Sequence, residues 1–205
     1  MFDLFLSAFA TLFVIIDPPG CAPIFAGLTA RFEARHRRAM AIRACVVAGG
    51  ILLFFALFGQ QLLGALHIEL DAFRIAGGIM LFLIALDMVF EKRTQRREQR
   101  AEQVMADPTQ DDVSIFPMAM PMLAGPGAIA SVMLLQSNAD GLPGTLVVLG
   151  ALGLVLLLTM LALLAAGPLM KAVGPRFEAV LTRLLGVLLA ALASQYVIDG
   201  IRGSF

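Results

Sequence analysis

Six apolar stretches organise the chain, at about Leu4 to Thr29, Ala39 to Leu66, Phe73 to Phe90, Val113 to Gln136, Leu142 to Leu169 and Phe177 to Gly200. Each is near the roughly 20 apolar residues that a helix needs to cross a bilayer. Polar residues collect between them. A basic loop holds Arg31, Arg35, Arg37 and Arg38, an acidic turn holds His67, Glu69 and Asp71, and a long polar stretch runs from Glu91 to Asp112. Shorter turns follow at Gln136 to Gly144 and around Lys171, Gly174, Pro175 and Arg176. The pattern predicts an all-α membrane protein of six transmembrane helices.

Helices 1 and 4 are predicted to be discontinuous. Asp17, Pro18, Pro19 and Gly20 interrupt the first, and Ala124, Gly125, Pro126 and Gly127 interrupt the fourth. Proline donates no N–H and pushes the residue before it out of the α region, so Asp17 and Pro18 are both expected in extended geometry. Pro23 is tolerable near the start of the second half-helix, where Ala22, Ala26 and Ala30 form a small-residue stripe suited to close packing. Unwound backbone in hydrocarbon costs several kcal/mol per unpaired group, so it persists only where protein or a polar cavity supplies partners. Half-helix N-termini after Gly20 and Gly127 would direct partial positive charge into such a cavity, and the ends before each break would offer carbonyls.

Three carboxylates bear on chemistry. Asp17 lies mid-span, where a charge costs at least ~2.5 kcal/mol on insertion scales, which makes it a functional candidate. Asp87 shares a stripe with Ala76 and Met80; it either couples an ion or caps the end of helix 3. Asp199 reads as interfacial, and Arg74 and Arg183 as interfacial anchors or partners of nearby acids. Met118, Met120 and Met122 repeat every two residues, which makes no helical stripe, so they read as packing residues and not metal ligands. Cys21 and Cys45 read as small apolar packing residues. No metal or cofactor is expected.

Composition narrows the class. The chain has 205 residues, 60% hydrophobic and 15% charged, with no net charge, against an ordinary apolar share of about 45–50%. A length of six spans leaves almost nothing outside the membrane, so one membrane domain over 1–205 is expected. The stretch from Phe2 to Ile16 lacks the basic flank of a signal peptide and reads as a span. The polar stretch at 91–112 reads as a solvated helical or partly disordered loop, and without interleaved aromatics it does not suggest nucleic-acid binding. Thirteen arginines and lysines flank the loops after spans 1, 3 and 5, against Arg74 and Arg202 on the other side. The positive-inside rule then puts both termini outside the cytoplasm.

The two breaks align at an offset of 107, Asp17 with Ala124 and Pro19 with Pro126, and Arg74 to Gly77 matches Arg183 to Gly186 at 109. Together they predict two inverted-topology three-helix repeats, over 1–90 and 113–205, joined by a cytoplasmic loop at 91–112. In secondary transporters of this design the substrate sits near the midplane where the broken helices meet.

The strings Asp17-Pro-Pro-Gly-Cys-Ala-Pro-Ile-Phe25, Pro117-Met-Ala-Met-Pro-Met-Leu-Ala-Gly-Pro-Gly-Ala-Ile129 and Ala85-Leu-Asp-Met88 resemble the MarC family of six-span inner-membrane proteins. The resemblance covers the whole chain. It implies a plasma-membrane location and, from SnatA-type members, transport of small neutral amino acids. Many members carry an asparagine where this chain has Cys21. The expectation is a secondary transporter, not an enzyme, with no phosphate-binding loop for ATP. Its substrate, a neutral amino acid or similar metabolite, would lie against Asp17, Pro18, Pro19, Gly20, Gly125, Pro126 and Gly127. Asp17 and Asp87 would couple a proton or sodium. The rival reading is a non-transporting membrane scaffold or envelope-stress partner.

Overall fold

The computed structural model describes residues 1–105 and 112–205, with the side chains of 105 and 168–178 also outside the description. The described residues are almost wholly helical, with no strand. In chain order the helices are α1 (Phe2–Ile16), α2 (Pro18–Leu28), α3 (Ala34–Ala65), α4 (Leu70–Val89) and α5 (Lys92–Met105). An irregular helical segment (Ser114–Leu123), α6 (Pro126–Ser137), α7 (Gly141–Leu164) and α8 (Ala166–Ser204) follow. Five spans are long and apolar enough to cross a membrane, with α1 and α2 taken as one. A sixth comes from the pair Ser114–Leu123 and Pro126–Ser137, bent by 52°. The chain is a multi-pass, all-helical membrane protein.

Several boundaries differ from the sequence expectation for identifiable reasons. Helix α3 begins at Ala34 and takes Arg35, Arg37 and Arg38 into its first turns. At 32 residues it would be about 48 Å long, so its basic end can stand clear of a hydrocarbon core about 30 Å thick. The turn expected around Lys171 to Arg176 falls instead at Ala165, between α7 and α8. Pro168 then lies in the first turn of α8, where its missing N–H forfeits no helical hydrogen bond. Of the small-residue stripe on α2, Ala22 is buried, Ala26 half-buried and Ala30 exposed beyond the helix end.

The helix over Lys92–Met105 departs from expectation in being packed and not solvated. Helix α5 packs against α2, α4 and the irregular segment, burying Arg97, Ala101 and Val104. Its sequence explains this, because Arg93, Arg97, Ala101 and Val104 fall on one face. Residues 106–111 lie outside the description. Beyond them, Asp112 accepts the Ser114 N–H at 2.8 Å and pairs with Arg43, fastening the start of the irregular segment to α3. Burial alone would raise its pKa, but the Ser114 hydrogen bonds and the Arg43 charge hold it below the usual value.

The most extensive helix contact joins α4 and α8. Glycines set its spacing. A Cβ on Gly78 would lie 2.8 Å from both the Ala193 carbonyl oxygen and Val197 Cγ2. A Cβ on Gly186 would meet Met88 Cβ at 2.9 Å, Val89 Cγ2 at 3.1 Å and the Ala85 carbonyl oxygen at 3.2 Å. Elsewhere, α1 and α2 pack on α7, while α3 packs on the irregular segment and α6. Overpacking of close seams costs about 1–3 kcal/mol. Gly78→Val should therefore lower the unfolding free energy by about that amount in a denaturation series. Gly50→Ala, where nothing lies within 4 Å of the added Cβ, should leave it nearly unchanged.

Candidate functional site

The first break is one residue long. Asp17 adopts φ 59°, ψ 64°, the left-handed conformation that aspartate tolerates better than most side chains. It closes α1 by donating its N–H to the Phe13 carbonyl at 2.9 Å and opens α2 by accepting the Cys21 N–H at 3.0 Å. Its side chain caps α2, with Oδ1 accepting the Gly20 N–H at 3.1 Å. Pro18 and Pro19 occupy the first helical positions of α2, where a preset φ and a missing N–H fit the helix. The extended geometry expected at Asp17 and Pro18 is therefore replaced by a left-handed hinge and a capped helix start. Gly20 is required there, since a Cβ would lie 2.3 Å from Asp17 Oδ2.

The second break is longer. Phe116 and Met120 take extended backbone within the segment ahead of it, each just before a proline, as steric exclusion from the α region predicts. Met118 and Met122 are buried while Met120 is exposed. Gly125 is the N-cap of α6, with no side-chain cap, and Pro126 is its first residue. A Cβ on Gly125 would lie 2.4 Å from the Pro121 carbonyl oxygen, which excludes any side chain.

Asp17 and Arg97 are the charged side chains buried among the described residues, and they pair with each other. Arg97 Nη1 donates to Asp17 Oδ2 at 2.9 Å. Arg93, one turn earlier on α5, donates to the Ile15 carbonyl and places its other nitrogen 2.9 Å from Met88 Sδ. Burial first, and then the nearby Arg97 charge, lower the Arg93 guanidinium to about 10, so it stays charged at neutral pH.

A cavity of about 410 Å³ lies beside this junction. Gly125, Pro126 and Gly127 line it from the second break, as do Ile15 from the end of α1, Met80, Ile84 and Asp87 from α4, and Arg93, Arg96, Arg97 and Arg100 from α5. Asp87 pairs with Arg96 at its edge. The structure thus brings Asp87 together with Gly125 to Gly127. Asp17, Pro18, Pro19 and Gly20 do not line the cavity; Asp17 reaches its wall only through Arg97. Ala76, expected on the stripe with Met80 and Asp87, is exposed. The α5 arginines were missed because a run rich in charge reads as solvated. Their spacing at i, i+3, i+4 and i+7, together with a buried acid in need of a partner, is the signal that points to them.

Removing one member of a buried ion pair costs about 3–5 kcal/mol, because the other is left uncompensated. Arg97→Gln and Asp17→Asn should each destabilise by about that amount. The double variant Asp17→Asn, Arg97→Gln should lose clearly less than the two single losses combined. A double-mutant cycle from denaturant unfolding measures this, and additive losses would mean the pair does not hold the junction.

Residues 2–205 match the MarC family integral membrane protein family. A UPF0056 membrane protein of Methanocaldococcus jannaschii is 38% identical over 200 residues, covering 98% of this chain and 97% of that one. The UPF0056 membrane protein YvbG of Bacillus subtilis is 31% identical, covering 100% and 97%. The UPF0056 inner membrane protein YhgN of Escherichia coli K12 is 33% identical, covering 96% and 95%. No solved structure matches the chain. With its whole length matched and full-length relatives above 30% identity, this chain belongs to the MarC family of integral membrane proteins.

Proposed function

We propose that the chain is a secondary transporter of a small neutral amino acid or similar small metabolite, bound in the cavity beside the two breaks. The observation that carries this reading is the cavity itself. At about 410 Å³ it falls near the small end of the roughly 300–1,000 Å³ usual for ligand sites. It joins apolar walls to a carboxylate, guanidinium groups and a helix N-terminus. A zwitterion needs both signs of charge in one small space. Asp87 suits the amine or a coupling proton or sodium, and α5 suits the carboxylate. Asp17, already matched by Arg97, would act by holding the α5 wall in place.

Reciprocal contacts support two inverted three-helix repeats over 1–90 and 113–205. Exchanging the first, second and third spans of one repeat for those of the other converts the packing of α1 and α2 on α7 into that of Ser114–Leu123 and α6 on α3. The α4–α8 seam maps onto itself: Gly78 faces Ala193 and Val197, and Gly186 faces Ala85 and Val89. The equivalent residues, Gly78 and Gly186, Ala85 and Ala193, and Val89 and Val197, are each 108 residues apart, the same offset that relates the caps Asp17 and Gly125 and the prolines Pro18 and Pro126. The counterpart of Asp17 on this reading is Gly125, one residue beyond the Ala124 suggested by sequence alone. Alternating access would rock one repeat against the other. The arginine-rich loops would face the cytoplasm and both termini the outside, consistent with the Escherichia coli relative being named an inner membrane protein. A scaffold has no use for a charged cavity beside a broken span, which weighs against that alternative.

Purified protein in liposomes tests the reading. Glycine or alanine should accumulate under an imposed proton or sodium gradient, and Asp87→Asn should cut the initial rate at least tenfold. If neither amino acid moves under either gradient, the substrate assignment fails.

A further inference from the structure

Among the described residues, the arginines on α5 are not balanced by the acids around them. Arg96 is matched by Asp87 and Arg97 by Asp17. Arg93 meets neutral acceptors, the Ile15 carbonyl and Met88 Sδ, and Arg100 has no carboxylate paired with it among the described residues. The remaining nearby acids face elsewhere: Glu91 pairs with Arg183 at 2.6 Å, and Glu98 and Glu102 line a separate groove against Pro23, Ile24 and Gly27 of α2. Among the described residues, two guanidinium charges are therefore in excess at a cavity whose other walls are mostly apolar.

We propose that Arg93 and Arg100 form a carboxylate-binding subsite on the α5 wall, facing the first turn of α6, for a water-soluble monocarboxylate. The chain itself contains the template. Asp17 presents one carboxylate oxygen to the N-terminus of α2 and the other to Arg97. On the reading above, Gly125 stands at the corresponding place and leaves α6 without a side-chain cap, while Gly125 to Ala128 and the α5 arginines line the same cavity. A ligand carboxylate there completes what Asp17 completes at the first break. The guanidinium fork matches a carboxylate in geometry as well as charge, and a helix N-terminus favours an anion. This inference deepens the transport reading, on which it rests for its purpose, by naming the group of the substrate that is recognised.

The test uses the full chain in nanodiscs of phosphatidylcholine, at constant ionic strength, with thermal unfolding as the readout. Propionate and glycine should raise the midpoint progressively with concentration, as binding to the folded state requires, and propionamide, which lacks the carboxylate, should not. The variant Arg93→Gln, Arg100→Gln should lose the propionate shift. The proposal is overturned if propionate gives no shift, if propionamide does as well, or if the shift survives in the double variant. Stabilisation seen only when phosphatidylglycerol is present would assign the arginines to a lipid headgroup and also overturn it. Should the double variant not fold, the comparison of propionate with propionamide on the unaltered chain decides. An arginine-dependent propionate shift in a protein that moves neither glycine nor alanine would keep the subsite and remove the neutral amino acid assignment.

Discussion

The buried pair between Asp17 and Arg97 is the interaction on which the junction depends. A carboxylate in the middle of an apolar span is costly alone, and a guanidinium on a buried helix face is equally so. Each makes the other tolerable, and the geometry leaves little slack. Asp17 can meet Arg97 with one oxygen because its left-handed backbone turns the side chain back over α2, where the other oxygen caps the Gly20 N–H. The hinge, the helix start and the docking of α5 are thus one arrangement. Loss of the charge affects all three, whereas a proline kink on its own would have set only the bend.

Close packing at glycines provides the second constraint. The α4–α8 seam admits no Cβ at Gly78 or Gly186 without displacing backbone or a branched side chain. Membrane helices gain little from hydrophobic exclusion against one another, so contact of this closeness is how they associate. The seam is also long, continuing at Gly200 against Asp71 and Ile75. Arg74 ties the same end to α6 through Asn138 Oδ1 at 3.0 Å, while also pairing with Asp71 at 2.8 Å. The seam joins the two proposed repeats, so on the transport reading any movement of one against the other would have to pivot about it.

The membrane class and the helices were legible because a chain of this length has no way to cover six apolar runs of spanning length except with lipid and with one another. The chain breaks were legible as positions but not as geometry. Proline rules exclude the α region before Pro18 without choosing between extended and left-handed backbone, and the choice at Asp17 depends on a cap that only the folded chain reveals. The extended residues Phe116 and Met120 follow the same proline rule and could have been read from Pro117 and Pro121. Arg97 was hidden for a different reason. Composition averages over a segment, and α5 is polar on average while its inner face runs from arginine into Ala101 and Val104. The partner of a buried charge has to be sought by face, not by average.

The difference between the two breaks is what gives the cavity its character. At the first, the chain supplies its own anion, so the helix start and Arg97 are both satisfied from within. At the second, Gly125 cannot carry a side chain at all, because the Pro121 carbonyl oxygen occupies the space. Steric exclusion at one break and an internal counter-ion at the other leave Arg93 and Arg100 without a paired carboxylate among the described residues. On the transport reading, that asymmetry would separate a structural carboxylate from a ligand's. Asp17 would hold the wall closed in every state, while the place opposite Gly125 would stay open to a carboxylate that comes and goes.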